Sequence, residues 1–162
     1  MVQSALAGTL AGSVGTTVLN MTTSADMAIR GRPASRAPSA LVGTVAEKIG
    51  LPLPLSLHKT TSQDQTGQNR KSGIGALFGY VNGLGVATLY GLLRPHAEEV
   101  PLPLAGFLVG ATAMLASDVP LVVLRVSQPK TWGISGWAAD IIPHLLYGLA
   151  TVLSYEALTN TD

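Results

Sequence analysis

The sequence predicts an all-α polytopic membrane protein, a glycine-rich bundle of four transmembrane helices, and three observations carry that prediction. Only 12% of the residues are charged, against roughly 25% in soluble domains. Seven of the ten Lys and Arg residues fall between Arg30 and Lys71, so long stretches elsewhere carry no charge. Four of those stretches have about the 20 apolar residues that a spanning helix needs. The 162 residues suffice for one domain, and residues 1–162 read as a single membrane domain.

The first expected span is Val2–Met21, built from Ala, Gly, Leu, Val, Ser and Thr; with no basic residue before its apolar run it does not read as a cleaved signal peptide. Gly73–Leu93 is the second, uncharged throughout. Leu102–Leu124 is the third, interrupted by Asp118 and Pro120. Ala138–Leu158 is the fourth, with Asp140 and His144 near its start and Glu156 near its end.

Residues 30–72 form the long polar connection. Pro33 disfavours helix in the residue before it and should end the first helix. Ser39 can cap a short amphipathic helix over 39–49, with Pro38 as the breaker just before it and Leu41, Val42, Val45 and Ile49 on one face. That helix either packs under the bundle or lies in the membrane interface touching lipid. Leu51–Leu55, with two prolines, reads as extended, and His58–Ser72 as a mobile polar run.

Basic residues set the orientation. The first loop holds seven and the third loop region holds Arg125 and Lys130, while the second has only Arg94. The positive-inside rule makes the first and third loops cytoplasmic and puts both termini outside, with Trp132 and Trp137 at the cytoplasmic interface.

Two features bear on packing. Gly75, Gly79 and Gly83 recur on one face of the second span, and Gly106 with Gly110, like Gly8 with Gly12, forms a further pair of small residues four apart. Hydrocarbon gives helices no hydrophobic reason to associate, so close approach through glycine must supply it. Packing inside one chain is the first reading of these stripes, and a homo-oligomer joined through one of them is the second. The chain also reads as two tandem helical hairpins, each with an Ala/Gly-rich span ending in an acid (Asp26, Asp118), and with Gly85-Val-Ala-Thr88 resembling Gly148-Leu-Ala-Thr151.

Polar groups within the spans are the candidates for chemistry, because each charge in hydrocarbon costs roughly 3 kcal/mol or more and needs a partner. Asp118 lies seven residues before Arg125, about 10 Å from that helix end at 1.5 Å per residue. Asp140 and His144 are four apart on one face of the fourth span. The topology therefore gathers Asn20, Asp26, Asp118, Asp140, His144 and Tyr147 in the cytoplasmic third of the bundle. They read either as a network pinning helix registry, neutralised by Arg30 or Arg125, or as a path for protons or cations. Asp118, Asp140 and His144 lack a recognised metal-ligand spacing, so no metal is expected. The absence of cysteine excludes thiol catalysis, disulfides and iron–sulfur clusters. No phosphate-binding glycine loop or nucleophile triad occurs, so neither a cofactor nor an enzyme is expected. A net charge of +1 without a basic helix gives no case for nucleic acid.

The stretch from Asn20 through Asp26-Met-Ala28 to Arg30-Gly-Arg-Pro-Ala-Ser35, with Ser117-Asp-Val-Pro120 and Pro143-His-Leu-Leu-Tyr-Gly148, resembles a family of small uncharacterised bacterial four-helix integral membrane proteins. The resemblance covers most of the chain outside 58–72. It implies four spans in a bacterial inner membrane and assigns no site residue. The function expected is that of a structural or accessory membrane component, with a small transporter or channel subunit as the rival.

Overall fold

The computed structural model describes residues 1–51 and 61–160. Within them lie five α-helices: α1 (Val2–Arg30), α2 (Ala37–Lys48), α3 (Thr61–Leu93), α4 (Leu102–Val123) and α5 (Gly133–Thr159). Short 3-10 turns at Arg94–His96 and Pro129–Thr131 join α3 to α4 and α4 to α5. No strand occurs among the described residues.

Three helices are long and apolar enough to cross a membrane: Gln65–His96, Leu102–Val123 and Gly133–Thr159. This is one fewer than the sequence reading. The difference is α1, whose 29 residues are ample in length but whose many Ser, Thr and Gly residues dilute its apolarity. Large apolar side chains nevertheless point outward all round the bundle, among them Leu6, Leu10, Val81, Phe107, Leu115, Ile142 and Leu153. A chain surrounded by water would bury such residues; a chain surrounded by lipid has no reason to.

The four long helices run alternately up and down. Going round the bundle the order is α3, α1, α5, α4, with α4 and α3 meeting least closely. The end at which α1 begins, α3 joins α4 and α5 finishes is called the hairpin end here. The opposite end, where Trp132 and Trp137 stack at 5.1 Å between ring centres, is the tryptophan end.

Glycine decides how near the helices come. A Cβ on Gly148 would overlap the Gly106 carbonyl oxygen and meet the Gly110 Cα, so α5 rests on the backbone of α4. A Cβ on Gly91 would overlap the Ser4 carbonyl and meet Gly8, which gives α1 and α3 the same kind of crossing. Gly15 likewise admits Tyr147 and Thr151 of α5 against α1. The expected stripe on α3 divides its work. Gly75 faces Pro38 of α2 and Gly83 faces Thr16 of α1, while Gly79 looks into open space. The two stretches that resemble each other in sequence sit differently, for Gly85 is open where Gly148 is packed.

Helix α1 continues to Arg30, nine residues beyond the expected span end, and stops at Gly31 in the left-handed region. Helix α3 begins at Thr61, so 61–72, expected to be mobile, is helical. The reason is α2, which lies along that part of α3: Gln68 donates to the Ser39 hydroxyl at 3.3 Å and the Lys71 side chain covers Gly43. Small residues let α2 approach, and its buried face is Ser39, Leu41, Gly43 and Ala46. The expected face of Leu41, Val42, Val45 and Ile49 is thus only partly used, with Val45 and Ile49 exposed. Ser39 is inside the helix, donating to the Arg36 carbonyl at 2.9 Å, and Pro38 occupies its first turn. Residues 52–55 of the extended segment, and His58, lie outside the described residues.

The two kinds of glycine separate experimentally. Gly148→Ala forces helix backbones apart and is expected to lower stability by about 1–3 kcal/mol. Gly79→Ala meets nothing and removes a flexible residue from a helix, so it should be neutral or stabilise by about 0.5–1 kcal/mol. Thermal unfolding in detergent measures both.

Candidate functional site

Asp140, His144, Tyr147, Thr151 and Tyr155 are spaced by three or four residues, which puts them on one face of α5. That face points into the bundle. Tyr147 and Thr151 are fully buried and Tyr155 nearly so, while Asp140 and His144 are mostly covered. The result is a polar stripe about 22 Å long at 1.5 Å per residue, most of the roughly 30 Å hydrocarbon thickness of a bilayer.

At the tryptophan end of the stripe, Asp118 of α4 meets the Asp140 carboxyl across the helix interface. His144 Nδ1 lies 2.8 Å from the Asp140 carbonyl oxygen and 3.4 Å from Asp140 Oδ1. A carbonyl can only accept, so Nδ1 carries the hydrogen. Asp140 Oδ2 is sealed from solvent without a donor among the described residues.

In the middle, the Tyr147 hydroxyl donates to the Gly83 carbonyl of α3 at 2.5 Å. The Thr16 and Thr151 hydroxyl oxygens are buried beside it with no hydrogen-bond partner among the described residues. Eight residues further along α5, the Tyr155 hydroxyl donates to Gly91 O at 3.1 Å. Both tyrosine bonds join residues 64 apart in sequence, so α3 and α5 run parallel and in register.

At the hairpin end, Arg94 Nε donates to Glu156 Oε1 at 2.6 Å and its Nη1 to the carbonyls of Ala97 and Val100 at 2.8 and 3.0 Å. Tyr90 stacks edge-on against Tyr155 at 5.3 Å and its hydroxyl reaches Glu156 at 3.4 Å. By sequence Arg94 falls in the second loop and Glu156 near the end of the fourth span. The signal that could have paired them is their common position at the ends of two parallel helices.

Of the six residues expected to converge, the structure brings together Asp118, Asp140 and His144. Tyr147 is one turn away and belongs to the α3 contact. Asn20 is exposed on α1. Asp26 pairs instead with Arg30 at 2.6 Å and with Arg32, and Arg30 also reaches the Ser135 carbonyl at the start of α5. Neither Arg30 nor Arg125 neutralises Asp118 or Asp140 among the described residues. Nor do the described residues hold a group of three or more His, Asp or Glu arranged to bind a metal ion.

No protein-family model matches this chain, and neither a curated protein nor a solved structure is found to match it.

Asp26 makes a pH prediction. Hydrogen bonds from Arg30 and then Arg32 hold its carboxyl below the ordinary carboxylate range. A carboxyl whose pKa falls on folding stabilises the fold above its unfolded value of about 4 and loses that contribution as pH drops through the folded value. Unfolding temperatures measured from neutral pH down to about pH 3 should therefore show an acid-side decline that is smaller in Asp26→Asn. The effect is modest because solvent screens the pair.

Proposed function

We propose that this chain is a four-span integral membrane protein of a bacterial inner membrane, a structural or accessory component rather than an enzyme. The observation that supports this best is the use made of the α5 stripe. Tyr147 and Tyr155 each bond a glycine carbonyl of α3, and Glu156 holds Arg94. Such side chains lock one helix against its neighbours, and hydrogen bonds of this kind between membrane helices contribute about 1 kcal/mol each. The fourth span is the apolar part of α1, packed against α3 and α5. The tryptophan end faces the cytoplasm, where the basic residues of the first and third loops favour it. The polar ends of α1 and α3 extend beyond the hydrocarbon on that side, together with α2.

A second reading has its own observation. Asp140 Oδ2 and Thr151 Oγ1 on the stripe, and Thr16 Oγ1 of α1 near it, are buried without partners among the described residues, which favours a small transporter or channel subunit passing protons or cations by way of Asp118, Asp140 and His144.

Flux in liposomes separates the two. For a structural component, proton and cation flux stays at the level of empty liposomes, while Tyr147→Phe lowers stability by about 1 kcal/mol. For a conducting protein, the wild type exceeds empty liposomes and Asp118→Asn abolishes the excess with insertion intact.

A further inference from the structure

The bundle does not close evenly. Helices α3 and α4 touch near mid-length, where Asn82 Nδ2 donates to the Ala113 carbonyl at 2.9 Å. From there to the hairpin end they part and leave a groove of about 200 Å³, open on one side. Its walls are Val86, Leu89 and Leu93 of α3 and Leu108, Val109 and Thr112 of α4, almost wholly apolar. Arg94 stands at the loop end.

Two features identify what fits there. The first is length. Thr112 lies ten residues beyond Leu102, about 15 Å along α4 at 1.5 Å per residue. That is half of a roughly 30 Å hydrocarbon core, so the groove runs from the helix ends to the midplane, the depth of one leaflet. The second is charge. The guanidinium of Arg94 gives its Nε hydrogen to Glu156 and its Nη1 hydrogens to the carbonyls of Ala97 and Val100. Nη2 has no partner among the described residues, on a side chain otherwise fixed in place. A fork of this kind matches phosphate oxygens.

We propose that this groove is the seat of one phospholipid, with an acyl chain between α3 and α4 and the phosphate on Arg94 Nη2. An empty apolar slot forfeits dispersion contacts on one side, and in a bilayer hydrocarbon chains are the material at hand to fill it. The proposal rests on the membrane reading but not on the choice between scaffold and conductor.

The test is native mass spectrometry of the full chain extracted from membranes in mild detergent. The wild type is expected to retain one phospholipid. Leu108→Trp puts an indole where the chain would lie and should lose it. Val81→Trp, on an exposed part of α3 outside the groove, should retain it. Arg94→Lys keeps a charge for Glu156 but lacks the fork, and should reduce the retained fraction about tenfold, the effect of one bond worth about 1.4 kcal/mol. Circular dichroism and elution profile establish that each variant is folded. Folded wild type without lipid, or equal retention in Leu108→Trp, overturns the proposal. Release of the chain from membranes by an alkaline wash without detergent would sink the membrane reading itself, a distinguishable failure.

Discussion

The contact on which the rest depends is the meeting of Gly148 with the backbone of α4 at Gly106 and Gly110. With no side chain between them, α5 lies close enough to α4 for Asp140 to meet Asp118. Gly15 does the same on the other flank, so α5 is held between α1 and α4 and its inner face has nowhere to turn but the centre. In a hydrophobic solvent this matters more than apolar surface, because lipid tails satisfy leucine as well as another helix does. Close approach is what remains, and glycine supplies it, against bare backbone at Gly148 and against side chains at Gly15.

Once α5 is central, polar residues on its inner face must find partners within reach. The tyrosines solve this with carbonyls of α3 that already accept within their own helix. A carbonyl has a second lone pair, so Gly83 and Gly91 accept from Tyr147 and Tyr155 without giving up helix bonds. Glycine at those positions also admits α1, since a side chain would meet Thr16 at Gly83 and Ser4 and Gly8 at Gly91. Packing and hydrogen bonding are therefore one device, and the constant separation of 64 residues is its record.

Much of this was legible in the sequence. Four helical segments and the short helix near residue 40 follow from apolar length and from proline positions. The α4 glycine pair and the conjunction of Asp118, Asp140 and His144 follow from spacing and depth. What spacing could not supply was which face of a mostly uniform helix turns inward. Gly75, Gly79 and Gly83 look equivalent in sequence, yet three different surroundings await them. By spacing Asp26 is a third acid for the cluster, but helix α1 carries it past the end of the apolar run to where Arg30 and Arg32 are nearer. The helical start of α3 was hidden because polar residues carry no apolar period there, and the segment gains a neighbour only once α2 lies on it. The tyrosine bonds were invisible for a related reason: a carbonyl acceptor leaves no residue type to recognise.

The two ends of the α5 stripe differ in a way that bears on function. At the hairpin end Glu156 holds Arg94, and the guanidinium is further tied to two loop carbonyls. Such an end is fixed, because altering either partner strands the other in a low-dielectric setting. At the tryptophan end two carboxyls face each other beside one imidazole, with no arginine among the described residues to settle them. That contact has no fixed opposite charge of the kind that ties Glu156 at the other end. The scaffold and conductor readings part at this end, on whether the buried hydroxyls of Thr16 and Thr151 link that contact to the rest of the stripe.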